Sequence, residues 1–169
     1  MQLEWDEQKY TTGFPHIDEQ HRELFDGLNG LIAFLKQSSV ADQPGNKEKL
    51  IQVLDFLGEY AVNHFRDEEE IFDRYDHSMA EANKEAHQAF LAKYTQYQEK
   101  LSKDTFTRGA LIQLHIFLRS WLLNHIVKID TALCECAEEA AEELQMHVRP
   151  MSAAGGQGVF ARFLALFAM

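Results

Sequence analysis

The chain has 169 residues, of which 46% are hydrophobic and 25% charged, a composition typical of one globular domain with its own core. Its formal net charge of −11 at pH 7 argues against nucleic acid or an anionic membrane surface as a main partner, because binding phosphate requires clustered Lys and Arg. The N-terminus lacks the features of a signal peptide, and we see no run of about 20 apolar residues that would predict a membrane span. Cys134 and Cys136 are two residues apart, so on a helix they point to different sides and are not expected to form a disulfide with each other. We interpret them as reduced thiols of a cytoplasmic protein.

Apolar residues at three- and four-residue steps predict four amphipathic helices. Residues 1–17 form an arm in which Gly13 and Pro15 break any early helix, and Asp18 is predicted to cap the first helix. Loops are predicted at 38–46 and around Ser102–Asp104, and the third helix at 79–102, with the fourth starting near Thr105. The stripes of the first, second and fourth helices are Leu24, Leu28, Leu31, Ile32 and Leu35; Leu50, Val53, Leu54, Leu57, Ala61, His64 and Phe72; and Leu111, Leu114, Leu118, Trp121, Leu122, Ile126 and Ile129.

Four long helices with short connections predict an all-α fold, an up-down-up-down four-helix bundle with an N-terminal arm and a C-terminal extension. Residues 131–148 are predicted to continue the fourth helix without a break. Residues 152–158, SAAGGQG, are typical of a flexible joint, and the apolar segment after them is expected to dock on the bundle or on a partner.

Histidines and carboxylates on the inward faces are the strongest functional signal. His64 and Glu68 are four residues apart, which places both on one helix face. His125 and Asp130 are five apart, a rotation of about 140°, so a local bulge or an ion between them would be needed for both to face one point. His21 and His87 add one histidine each on the first and third helices.

This donor set exceeds the four ligands of a structural zinc ion and suits two iron ions bridged by the two carboxylates. A lone histidine on an apolar face is more often a core residue, and a single His/Glu pair is common on solvated helices. Spacing alone therefore leaves metal binding and a structural role about equally supported.

Four segments resemble the signature blocks of the bacterial hemerythrins, in the same order: IDEQHRELFDGLN (17–29), HFRDEE (64–69), HQAF (87–90) and WLLNHIVKID (121–130). The resemblance covers about residues 5–135. It implies a hemerythrin-like di-iron domain at 1–135, followed by a helical extension, joint and apolar tail at 136–169. It also implies two non-haem iron ions joined as Fe-O-Fe, with O2 or another exogenous ligand. By this resemblance one iron is bound by His21 and His64, the other by His87 and His125, with Glu68 and Asp130 bridging, and the O2 pocket is lined by Leu24, Trp121, Leu122 and Ile126.

One position departs from the family pattern, which places a histidine four residues before His87. This chain has Asn83 there, and a neutral amide oxygen is a much weaker iron ligand than imidazole. The iron at His87 and His125 is therefore expected to have a position open to water, an exogenous ion or an oxidant. His77 is interpreted as a solvated loop residue rather than a substitute ligand.

The resemblance favours a domain that binds or senses O2 or a related small oxidant, with the signal passed along the fourth helix to an output domain or partner protein. The alternatives are a weak oxidase or peroxidase, a carrier of oxygen or iron, and a bundle that has lost its metal. We expect a binding or sensing domain rather than an enzyme.

Overall fold

The computed structural model of the protein describes residues 2–36, 46–102 and 107–146. The regular structure within these ranges is helical throughout, as predicted. Its elements in chain order are α1 (Glu7–Tyr10), α2 (Pro15–Lys36), α3 (Asn46–Arg74), α4 (Ala80–Ser102), α5 (Arg108–Lys128), a 3₁₀ turn (Asp130–Ala132) and α6 (Leu133–Met146). Residues 38–45 of the loop predicted at 38–46, residues 103–104 of the turn predicted at 102–104, and the joint and tail at 152–169 lie outside the described residues.

The four long helices form the bundle. α2 packs against α3 and α5, and α4 packs against the same two helices, so the four enclose one core. The predicted stripes supply this core: Leu31 and Leu114 are fully buried, and burying a leucine side chain contributes about 1.5–3 kcal/mol. This confirms the predicted all-α helical bundle.

The N-terminal arm is more ordered than predicted. It contains the one-turn helix α1, capped by the Asp6 carboxylate, which accepts from the backbone N–H of Gln8. Its Leu3 is buried in the bundle core, and the Leu3 backbone exchanges two hydrogen bonds with Asn29, at 2.7 and 2.8 Å. The arm is therefore part of the folded domain.

The prediction that Asp18 caps the first helix is wrong. The helix begins at Pro15, whose ring presets a helical φ and which has no N–H to satisfy at the first position. Asp18 instead lies within the first turn, buried, and its carboxylate accepts hydrogen bonds from Thr11 Oγ1, Thr12 N and Thr12 Oγ1 at 2.7–2.8 Å. Asp18 thus ties the arm to α2.

The prediction of an unbroken fourth helix is also wrong. α5 ends at Lys128, and Ile129 leaves the helical region with φ −124° and ψ −60°. A 3₁₀ turn at Asp130–Ala132 follows before α6 begins. By length and composition the stretch Arg108–Glu142, which includes this turn, could cross a membrane, since a window of 18 residues within it has a mean hydropathy of 1.2. Its inward face lies in the bundle core, as in a core helix of a globular domain.

A second, smaller core seats α6 on the bundle. It consists of four buried residues: Ile17, Phe72, Leu133 and Cys136. Beside it, His77 contacts the Glu135 carboxylate at 3.1 Å through Nε2 and accepts from the backbone N–H of Met79 through Nδ1, also at 3.1 Å. The expectation that His77 is solvated is therefore wrong, since its side chain is 11% exposed and joins the α3–α4 turn to α6. Cys134 and Cys136 are both free thiols, as expected from their spacing. The predicted division of the chain at residue 135 stays a prediction.

Candidate metal centre

Six buried side chains converge in the interior of the bundle, near its α3–α4 turn. They come from α2, α3, α4, α5 and the 3₁₀ turn, and none is more than 5% exposed. They are the six residues predicted from the sequence as metal ligands: His21, His64, Glu68, His87, His125 and Asp130.

Glu68 lies between two pairs of histidines. Its Oε1 is 3.2 Å from Nε2 of His21 and 3.3 Å from Nε2 of His64. Its Oε2 is 3.2 Å from Nε2 of His87 and 4.0 Å from Nε2 of His125. One carboxylate therefore presents an oxygen to each pair, and the ligand atoms form two groups, each compact enough to hold one cation.

Asp130 spans the same two groups. Its Oδ2 is 3.3 Å from Nε2 of His21, and its Oδ1 is 3.0 Å from Nε2 of His125. The break after Lys128 makes this possible, because five residues of regular helix would turn Asp130 about 140° away from His125. The local irregularity that the five-residue spacing required is present.

The buried polar atoms of this centre are poorly paired by hydrogen bonds but well placed to bind a cation. Among the described residues, both oxygens of Glu68, both oxygens of Asp130 and both ring nitrogens of His21 are buried without a well-aligned hydrogen bond, although Nε2 of His21 lies 3.2–3.3 Å from both carboxylates. Leaving such groups unsatisfied costs about 1–3 kcal/mol each, and more for charges. Nε2 of His87 and Nε2 of His125 face each other at 2.9 Å, an approach that a positive charge between them stabilises. The residues present therefore fit a pair of metal ions.

The electrostatics agree with this assignment. Burial opposes the charged form of His21, but the carboxylates of Asp130 and Glu68 outweigh it and raise its pKa to about 9. Burial lowers the pKa of His64 to about 4. The pKa of Glu68 lies well below its ordinary value, because the surrounding histidines outweigh the cost of burial. Two buried carboxylates with four imidazoles thus form an anionic site that cations neutralise.

Two residues outside this set orient the histidines. Nδ1–H of His64 donates to Gln20 Oε1 at 2.8 Å, and Gln20 Nε2 donates in turn to Asp67 Oδ2 at 2.8 Å. Nδ1–H of His87 donates to Glu69 Oε1, also at 2.8 Å. These bonds leave each Nε2 lone pair free for a metal, and such partners also raise the basicity of a ligand imidazole.

Aromatic rings fix the planes of His87 and His125. The His87 ring stacks on Phe65 with centroids 3.8 Å apart and planes 9° apart. The His125 ring stacks on Trp121 at 4.3 Å and 14°. Because packing restricts ring rotation, the Nε2 atoms of these two rings stay directed at the one cation position that they share with Glu68.

An apolar cavity of about 40 Å³ begins one turn from the ligands and extends along the bundle interior. It has room for a diatomic molecule. Three residues predicted for the O2 pocket line it, whereas Ile126 is fully buried in the core rather than on the cavity wall. The lining residues are Leu24, Leu28, Leu57, Ala61, Phe65, Phe90, Tyr94, Leu118, Trp121 and Leu122.

Asn83 and His77, the other polar residues considered in the sequence, and a further buried histidine of α5, His115, lie in different places. Asn83 is fully buried on α4, one turn before His87. His77 is held by Glu135, so it is not a substitute ligand at Asn83. His115 is buried on α5 and bonds to the backbone of Leu28.

Comparison with known proteins agrees with this geometry. The chain matches the family model of the hemerythrin HHE cation binding domain over residues 12–137. It is 28% identical to a bacteriohemerythrin of Stenotrophomonas maltophilia over 148 residues, covering 86% of this chain and 87% of that one. It is 32% identical to a hemerythrin-like protein of Naegleria gruberi over 122 residues, covering 72% and 82%.

A crystal structure of wild-type hemerythrin superposes with a TM-score of 0.65 at 26% identity, covering 80% of this chain and 97% of that one. The family match, the fold and the arrangement of histidines and carboxylates all agree. This chain belongs to the hemerythrin HHE cation binding domain family, and its cofactor is a di-iron centre that binds O2.

Proposed function

We propose that this protein senses oxygen or a related small oxidant at its di-iron centre and transmits the change through α6 to an output partner. When bound, the iron ions supply the redox chemistry and the coordination position for the oxidant. The histidines and carboxylates hold the ions, and the apolar cavity admits a small neutral molecule while its side chains exclude water.

The observation that supports sensing is the position of Asp130. Five of the six predicted ligands lie inside long helices, but Asp130 lies in the turn that joins α5 to α6. Leu133, three residues later, is fully buried in the small core that seats α6. A change in the charge or position of the centre therefore acts on a short segment whose far end is α6.

The core that holds α6 against the bundle is small enough for α6 to respond to a change at the metal centre. Among the described residues, four side chains are buried in it and the other apolar residues that pack against them are only partly buried. The contact between His77 and Glu135 lies at its edge, with Glu135 largely exposed. Segments with few buried contacts open at lower free energy than the main core. α6 is thus a suitable output element.

Hydrogen exchange of the iron-loaded protein tests this proposal. Amide exchange is measured in the reduced, oxygen-free state and after addition of O2. Sensing predicts changed protection in 133–146 and unchanged protection in the distal half of α2, at 28–36. Protein freed of iron serves as the control and should show no response to O2.

Two outcomes would contradict sensing. A reversible change in the absorption spectrum with unchanged exchange in α6 would indicate a carrier. Steady consumption of peroxide with an added reductant would indicate catalysis.

A further inference from the structure

The buried side chain of Asn83 is unexplained by the fold. It is 0% exposed, and within the described part of the chain neither its amide oxygen nor its amide nitrogen has a hydrogen-bond partner. Buried amide groups are nearly always paired, so an unpaired one in a native fold indicates a missing ion, water or ligand. Its backbone is ordinary, since the Asn83 N–H donates to the carbonyl of Met79 at 2.9 Å.

Asn83 lies at the His87 end of the metal centre. The two residues are four apart on α4, which places them on the same helix face about one turn apart, and both are buried. Nε2 of His87 is 3.2 Å from Glu68 Oε2, in the group of ligand atoms that Glu68, His87 and His125 form. Since Asn83 shares the buried face of α4 with His87, the helix geometry directs its amide toward this cation position.

The donor atoms are distributed evenly between the two cation positions. One has the imidazoles of His21 and His64 with Glu68 Oε1 and Asp130 Oδ2. The other has two imidazoles with Glu68 Oε2 and Asp130 Oδ1. Non-haem iron sites with two histidines and carboxylates retain open positions for exogenous ligands. A histidine at 83 would fill such a position at one end only.

We propose that Asn83 creates a second exogenous-ligand position, on the ion held by His87 and His125. The site takes a small anion, and the amide Nδ2–H of Asn83 donates a hydrogen bond to it. This inference does not depend on signalling by α6, because it concerns the number of small ligands that the centre binds.

Azide titration of the iron-loaded, oxidised protein tests the proposal, with the absorption band of the azide complex giving the number of anions per two irons. The variants are Asn83→His, which restores the imidazole, and Asn83→Ala, which removes the amide. Gln96→His is the matched control, since it adds a histidine to an exposed position of the same helix. Iron content is measured for each protein before titration.

The expected result is two azides for the natural chain and for Gln96→His, and one for Asn83→His. Asn83→Ala should bind two, the second about tenfold more weakly, because a hydrogen bond to a charged ligand is lost. One azide in both the natural chain and Asn83→His would overturn the open position. One azide in the natural chain but two in Asn83→Ala would show that the amide oxygen is itself a ligand, which also overturns it.

If Asn83→His does not fold or load iron, the natural chain and Asn83→Ala still test the proposal. If the second azide binds Asn83→Ala as tightly as it binds the natural chain, the proposed hydrogen bond from the amide is overturned. A single azide in the natural chain, whatever the variants do, would overturn the second position.

Discussion

Replacing Leu133 with alanine tests the coupling between α6 and the metal centre. Leu133 is fully buried in the four-residue core beneath α6 and lies three residues after Asp130. Truncating a buried leucine to alanine costs about 2–5 kcal/mol. Because this core is small, we expect the loss to fall mainly on the docking of α6 and on the turn that carries Asp130. A loss of about 3 kcal/mol raises the undocked population roughly a hundredfold.

The assay compares iron release to a chelator with unfolding followed by circular dichroism. Leu133→Ala should release iron up to about a hundredfold faster at temperatures where the helices remain folded. The matched control is Leu35→Ala, buried in the main core and 14 residues along α2 from His21, about 21 Å away. It should lower the unfolding midpoint but leave release from the folded protein nearly unchanged. Equal release rates in the two variants at matched stability would refute the coupling.

Two further substitutions probe hydrogen bonds that position the site and the arm. Glu69→Gln weakens the hydrogen-bond acceptor behind His87. Iron affinity in chelator competition should therefore fall about 10–100-fold, and the reduction potential of the iron centre should rise. Glu70→Gln, on the exposed side of α3, is the control and should change neither quantity. Unchanged affinity in Glu69→Gln would show that this bond does not tune the ligand. Asp18→Ala removes the acceptor of three hydrogen bonds from the arm. It should lower the free energy of unfolding by about 2 kcal/mol and Tm by about 4–8 °C in a thermal scan. A Tm within about 1 °C of the natural chain would contradict the role assigned to Asp18.

The helices and the metal centre could be predicted because both depend on spacing along single helices. Residues such as Leu24 and Leu28 recur with the helical period, and that pattern alone determines which face is buried. His64 and Glu68 share a face for the same reason. The sequence also showed that His125 and Asp130 could not share a face of a regular helix.

The break after α5 could not be located from local sequence. Residues 129–133 contain no glycine or proline, so no strong helix breaker marks the end of the helix. Tertiary contacts decide it: Asp130 lies against His21, from a helix about a hundred residues earlier, and Leu133 packs in the second core. For this reason the local sequence predicts that residues 131–148 continue the fourth helix without a break.

Three polar partners were missed for a related reason. Gln20 and Glu69 each lie next to a predicted ligand in the sequence, at the edge of the buried face, and each bonds to a histidine on another helix. His77 follows the end of α3 and contacts α6. Hydrogen bonds between helices depend on rotation and register, which the pattern of one helix does not contain. Adjacency to His21 and to Glu68 was the only available signal.

The most direct test of the metal centre is an anomalous difference map at the iron edge, from crystals of the iron-loaded protein. The arrangement of side chains predicts two peaks within bonding distance of the ligands. One should lie between the rings of His21 and His64, the other between those of His87 and His125, and both should contact Glu68 and Asp130. A single peak, or two peaks away from these side chains, would contradict the assignment of this site.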